Sequence, residues 1–574
     1  MSGNLALSLH DGPIVSQQDI TIPFQPQRQV RTLHRDIDWR GAFWISCGVP
    51  VLVLFSMGAI SSTVGNAAWL VWMVSIGFGF LQAFTYAEIA GLFPHKAGGV
   101  SVFGAVAWVR YSKLLAPVSI WCHWWAWSPV LAIGSGLGAG YMLNALFAPE
   151  AAINNWQLTL LDLGLLKDGL TLRINATFIV GATVLLLVFA VQNGGILRSA
   201  RTMMILALTA LLPLLLIALV PLLTGDLPQS HFFPLSPLAY NNMGEIVPGE
   251  WNQQGWVLLA GGLFIAGWSA YAFETAACYT RELKHPGRDS ARAIFYAGLL
   301  CLAVYMIVPT AFQGYLGQGE MIQPAQIDNL GRIVEPAQYS GMLSEDIYSG
   351  VGIADVLAAM AGNIGFIANL IVVMLVLAML LAIMTAMSGS SRTLYQGAVD
   401  GLLPRFLAHV NDDGAPTHAM WANLVLNLIL LMMSDYVFVL AASNVGYMIF
   451  NFLNLNAGWI HRMDRGNWQR PFRAPTPLLM IGTLLAFVNL AIMGMGANVW
   501  GEGALFSGLF MAALSIPIFL WRHYVTDKGQ FPTVMQDDMK LDGVSRGNAG
   551  ILPYLAVLLG VVTVYVSNAL VASV

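Results

Sequence analysis

Few side chains in this sequence are placed to do chemistry, and most of them are ionisable or aromatic groups inside apolar stretches. Glu274 closes the run Ala266-Gly267-Trp268-Ser269-Ala270-Tyr271-Ala272-Phe273-Glu274, in which small residues alternate with bulky rings. A carboxylate set in hydrocarbon is costly and normally faces a cavity or a partner. Taking up a proton relieves that cost, which suits a group that couples or gates a transport cycle. The plainer alternative is a carboxylate near the inner helix end, solvated or paired with Arg281 or another base. Trp268 and Tyr271 offer ring faces to an organic cation, or else simply pack.

A second constellation is Cys47-Gly48-Val49-Pro50, about a third of the way into the first apolar run. Pro50 has no amide hydrogen and its ring clashes with the preceding turn, so a helix should open there. Ser56-Met57-Gly58, further along, is another possible opening. Irregular backbone is tolerated at membrane depth only where it lines a cavity or is buried in protein. Broken helices of this kind mark the binding sites of secondary transporters. Gly48, Val49, Pro50, Trp268, Tyr271 and Phe273 are therefore the candidate substrate-binding residues, and Glu274 the candidate coupling or gating residue. Other polar groups carry blander readings. Glu88 suits a helix-end salt bridge. His123, in Trp121-Cys122-His123-Trp124-Trp125, suits packing more than a proton relay. Asn363, Asn369 and Asn444 suit interhelical hydrogen bonds, and Arg392 and Asp400 suit organisation of one membrane face. Cys47, Cys122, Cys278 and Cys301 have no C-x-x-C spacing and read as small buried hydrophobes; no metal site or cofactor is expected.

The elements that must position these residues are legible from composition. Of 574 residues 57% are hydrophobic and only 10% are charged, and the mean hydropathy is +0.67. So few charges cannot coat several soluble globules. A net charge of −4 excludes the basic surplus of a nucleic-acid binder. Apolar segments fall at about 41–64, 68–93, 116–147, 174–192, 202–223, 256–280, 292–316, 356–389, 418–434, 436–459, 476–498 and 503–521, with a thirteenth at 549–571. They are too long for barrel strands, so each is a helix and the chain is an all-α polytopic membrane protein. Of the 26 Lys and Arg, all but Lys167, Arg173 and Arg332 fall on the side of residues 1–40. That asymmetry places the N-terminus in the cytoplasm of a multi-pass plasma or inner membrane protein. No removable signal peptide is expected. The segments 224–255 and 317–350 read as solvated outer loops, and the sequon at Asn175 as chance.

Three local patterns carry a family likeness. Tyr86-Ala87-Glu88 followed by Phe93-Pro94-His95-Lys96-Ala97-Gly98-Gly99 is one. Phe273-Glu274 through Glu282-Leu283-Lys284-His285-Pro286-Gly287-Arg288 is the second. Ser391-Arg392-Thr393-Leu394-Tyr395 through Asp400-Gly401-Leu402-Leu403-Pro404, with Ala415-Pro416 after it, is the third. In order and spacing the chain resembles the amino acid–polyamine–organocation transporter superfamily over roughly 36–525.

That resemblance implies an inverted five-plus-five transmembrane helix repeat plus two or three extra C-terminal helices. The divisions would be a tail at 1–40, a first repeat at 41–223, an outer loop at 224–255 and a second repeat at 256–460. Helices 11 and 12 would fill 461–522, a cytoplasmic loop 523–548 and a thirteenth helix 549–574. It implies a secondary transporter of amino acids or related amines, coupled to protons, to sodium or to exchange, with the lipid bilayer as its surroundings. Trp268 would cover the substrate and Glu274 would assist coupling. The family's Gly-x-Gly carboxylate cradle would fall at Gly48-Val49-Pro50. Only its first glycine is kept, which leaves room for an amine or a modified amino acid. The fifth helix, at Leu208-Thr209-Ala210, lacks the Lys of many proton-coupled members. A passive channel would need a repeated polar ring along a pore, and a membrane enzyme would need clustered His, Asp or Glu; neither pattern stands out.

Overall fold

The computed structural model describes residues 32–148, 151–241, 245–327, 333–362, 364–540 and 548–572. Arg332 and Asn363, weighed above, lie outside them. Ten apolar helical segments are long enough to cross a bilayer, and the first of these, Trp39–Ala90, is two spans joined by a turn at Gly65–Ala67. Ala176–Gln192 and Thr417–Leu430 are shorter apolar helices at the expected fourth and ninth places. With the last helix, Leu552–Ala572, the described residues hold all thirteen expected spans.

Three departures from the hydropathy reading have simple causes. Val100–Val109 is an additional, wholly buried helix. At ten residues it reaches only about 15 Å, half a bilayer, so no span-length window finds it. The eighth apolar run is divided: a helix at Ile353–Met360 ends near Gly362, whose φ of +91° suits only glycine, and the span restarts as Gly365–Val399. That span runs ten residues past the expected end at 389, because its polar tail is paired inside the protein. Arg392 binds Glu282 through two nitrogens, and Gln396 donates to Asp400 at 2.9 Å. The outer loops contain two-stranded antiparallel pairs, such as Leu238–Tyr240 with Ile246–Pro248.

The first span begins at Trp39, capped by the Asp38 carboxylate, which accepts from the Arg40 and Gly41 amides. We call this end of the bundle the proximal face. Here Ile37 bridges to Leu283, and Arg35 donates to the Pro94 carbonyl at 3.2 Å. Charges on this face are buried in compensated sets. Lys96, fully buried, lies 2.5 Å from Asp400 and 2.8 Å from Asp538. Glu88 sits between Arg462 at 2.5 Å and Arg470 at 3.0 Å, as its helix-end reading anticipates. Asp538 belongs to the short helix Thr533–Met539, beyond the twelfth span, so this segment is clipped onto the proximal face. On the opposite, distal face Asn175 caps the fourth span by accepting from the Phe178 amide at 2.9 Å, which explains that residue without glycosylation. All four cysteines are free and buried.

Removing one partner of a buried ion pair leaves the other charge uncompensated and costs about 3–5 kcal/mol, whereas a solvated pair is worth at most about 1 kcal/mol. Lys96→Ala should therefore lower the thermal unfolding midpoint in detergent sharply, and Lys540→Ala, at the exposed Lys540–Asp537 pair, should leave it nearly unchanged. The Asp538 carboxyl also carries a pH dependence. Burial pushes it up, but the His95 hydrogen bond and the Lys96 charge outweigh that and hold it below its usual 3.8. A depressed carboxyl stabilises the folded state above the unfolded value and ceases to do so as the pH falls through the folded one. Proteolysis of the 527–540 segment should be steady above about pH 4 and accelerate only below it.

Candidate functional site

Both expected helix breaks are present. The first span stops at Ser46 and resumes as Pro50–Leu52 in 3-10 winding, then Val53–Val64 as α-helix. Gly48 permits this because the eighth span presses against it. A Cβ there would lie 2.3 Å from Thr385 Oγ1 and 2.5 Å from the Leu381 carbonyl oxygen. Thr385 repairs the break at the same point, accepting from the Gly48 amide at 3.2 Å and donating to the Ile45 carbonyl at 2.6 Å. The Val49 amide donates to Ser46, and the Val49 carbonyl accepts from the Tyr305 hydroxyl at 3.0 Å. The Gly48 and Val49 amides are thus both engaged within the protein, and Pro50 has none to offer.

The sixth span is α-helical through Gln253–Ala270 and then winds as a 3-10 helix over Ala272–Glu282. Eleven residues of such winding are unusual, since its hydrogen bonds are strained and runs rarely exceed four. Successive side chains around this junction diverge to different neighbours. Trp268 donates from Nε1 to the Ala126 carbonyl at 3.0 Å and tilts against Phe55. The Tyr271 hydroxyl reaches Asn489 on the eleventh span at 3.3 Å. Phe273 packs beside Phe80 and Gly298, among the second and seventh spans. Trp268 and Tyr271 do not form one aromatic wall, and Phe273 faces away from Glu274.

Glu274 is completely buried. Its contact is not Arg281 but His123 of the third span, whose Nε2 stands 3.2 Å from Oε1. Tyr447 of the tenth span donates to the same oxygen at 3.4 Å. Oε2 has no hydrogen-bond partner among the described residues. The other ring nitrogen of His123 lies 3.2 Å from Ser101 Oγ and 3.1 Å from Thr393 Oγ1. Phe450 packs against the His123 ring at 4.6 Å and against Tyr447 and Tyr86 beyond it. Thus the third, sixth, eighth and tenth spans and the short helix Val100–Val109 converge on one carboxylate. Thr385 and Thr393 are eight residues apart on one helix, roughly 12 Å; the Gly48 break and the Glu274 cluster are two levels of the bundle, with Glu274 nearer the proximal face.

His123 is the residue that sequence reasoning assigned to packing. An imidazole in a tryptophan-rich span is itself a signal, but only the fold shows that a carboxylate 151 positions away meets it. Tyr447, Ser101 and Thr393 carried no comparable signal. Asn444 donates to the Phe264 carbonyl at 2.6 Å, an interhelical bond as expected.

A sequence model of the family described as amino acid permease matches residues 37–514. The chain belongs to that family. Among curated proteins it is similar to the "Polyamine transporter PUT1" of Oryza sativa subsp. japonica, with 24% identity over 334 residues, covering 54% of this chain and 55% of the relative. The chain thus spans about half the length of the curated relative it matches. The matched family region takes in both broken spans and the Glu274 cluster, whereas the Asp538 clip and the thirteenth span lie beyond it.

The bond that repairs the first break gives a direct check. Thr385→Val leaves the buried Gly48 amide unpaired, a cost of about 1–3 kcal/mol. Gly48→Ala must displace the Thr385 hydroxyl and the Leu381 carbonyl, an overpacking cost of similar size. Both variants should melt several degrees below the parent, and Thr385→Ser, which keeps the hydroxyl, should not.

Proposed function

We propose that this permease is a secondary transporter of small organic amines, carried across the plasma or inner membrane by alternating access. The reading takes residues 1–40 as cytoplasmic and the ten core spans as two inverted repeats of five, between which the substrate site lies. Energy comes from an ion gradient, protons being favoured over sodium, or from exchange.

One observation carries the choice of an amine over an ordinary amino acid. An α-carboxylate would need free amides at the first break, and Gly48 and Val49 are already bonded while Pro50 has no hydrogen. At the sixth-span junction the fully buried group with an oxygen to offer is instead a carboxylate, Glu274, whose Oε2 has no partner among the described residues. A desolvated carboxylate beside aromatic rings is chemistry for an ammonium group. The similarity to a polyamine transporter over half the chain supports the same class. In this reading Gly48, Val49 and Pro50 shape the cavity wall, Trp268 and Tyr271 bound it on opposite sides, and Phe273 supports the sixth span rather than touching cargo.

Uptake of radiolabelled diamines and amino acids into proteoliposomes tests this. Expected is saturable, gradient-dependent diamine accumulation that neutral α-amino acids do not inhibit, reduced at least tenfold by Glu274→Gln. Inhibition by neutral amino acids with an intact Glu274→Gln variant overturns the amine reading, and non-saturating flux points to a pore.

A further inference from the structure

The hydrogen bonds around His123 decide which of its protons is exchangeable. Ser101 Oγ lies 3.3 Å and Thr393 Oγ1 3.0 Å from the carbonyl oxygen of Gly98, so both hydroxyls donate to backbone. A hydroxyl has one hydrogen to give. With both hydroxyls given to backbone carbonyls, Thr393 Oγ1 having Gly389 O at 3.2 Å as well, the two oxygens facing Nδ1 accept, and the arrangement favours the tautomer with its hydrogen on Nδ1. The Nε2 lone pair then faces Glu274 Oε1, and one proton bridges that 3.2 Å contact. With this proton the pair is neutral overall, as a fully buried site favours.

Oε2 is the unmatched part. It is buried, unpartnered among the described residues, and shares its carboxyl with the bridged oxygen. A cation accepted there would leave the site with a net positive charge in a low-dielectric interior unless a proton departs. The other ionisable groups facing the pair cannot absorb that charge. Tyr86 and Tyr447 from the second and tenth spans, with Tyr271, Cys278 and Tyr279 from the sixth, are phenols and a thiol that are neutral donors near pH 7 in water. Glu282 and Arg392 neutralise each other.

We propose that His123 and Glu274 hold one exchangeable proton between them, and that an organic cation docking on Oε2 expels it to water. The site then carries a proton or a cation in turn, so the two cross the membrane in opposite directions. This rests on the amine reading above and selects exchange from the coupling modes that reading leaves open. No bond to carbon changes; one ammonium group enters and one proton leaves.

The full chain in weakly buffered detergent, titrated with 1,4-diaminobutane beside a pH indicator and in parallel by calorimetry, tests this. Expected is about one proton released per diamine bound, with affinity tightening up to tenfold per pH unit while the pair titrates. His123→Gln keeps a polar group near Nε2 that cannot hold a proton, and should move the midpoint of the pH–affinity profile by about one unit or more. Thr393→Val keeps the imidazole but removes an acceptor of Nδ1–H, and should move the midpoint toward lower pH. Diamine binding without proton release, or a His123→Gln profile superimposed on the parent's, overturns the exchange proposal while leaving the amine reading standing. Absence of diamine binding to the parent overturns both.

Discussion

A helix in hydrocarbon can be interrupted only where some other group takes up the bonds it gives away, and that requirement organises this bundle. The first span opens at Gly48 because Thr385, on the eighth span, both accepts from the exposed amide and donates to the Ile45 carbonyl. The sixth span does not open into loose chain; it tightens into a 3-10 helix that keeps its backbone bonds within the segment. Both solutions obey the rule that unsatisfied backbone cannot face lipid. The first solution also ties the first span to the eighth, and the Arg392–Glu282 pair ties the eighth to the sixth.

The same economy governs charge. Lys96 with Asp400 and Asp538, Arg392 with Glu282, and Glu88 with Arg462 and Arg470 are buried near the proximal face, and every one joins segments far apart in the chain. Such pairs are weak sources of stability in themselves, because desolvation offsets their attraction. Their importance is that breaking one leaves a buried charge uncompensated, so the sets at the proximal face hold their partners in place. Asp538 comes from beyond the matched family region, so this chain brings a further segment to that face.

Glu274 differs from these groups in being compensated by a histidine, the one side chain whose charge changes readily near neutral pH. Hydroxyls on two other elements orient the ring, and aromatic side chains enclose it. A carboxylate held by arginine is fixed as an anion; one held by imidazole can change its state. That contrast separates the groups paired with arginine or lysine from the one carboxylate paired with an imidazole alone in these sets.

Composition and hydropathy were enough to determine the helical class, the thirteen spans, the Gly48–Pro50 break and the placing of the Glu274 carboxylate within a span, because each follows from the local cost of polar groups or irregular backbone in hydrocarbon. The buried helix Val100–Val109 escaped notice because length is what identifies a span. The run past residue 389 escaped because its polar residues are satisfied only by distant partners. Phe273 shows the limit most plainly. It adjoins Glu274 in sequence, yet the tight winding turns it toward the second and seventh spans. What tertiary structure alone decided is which atoms face one another: that His123 meets Glu274, that Thr385 takes the Gly48 amide, and that Oε2 of Glu274 is left without a partner among the described residues. Residue type sets the energetic demand at each position, but the partner that meets it is chosen by packing between spans, and no local pattern encodes that.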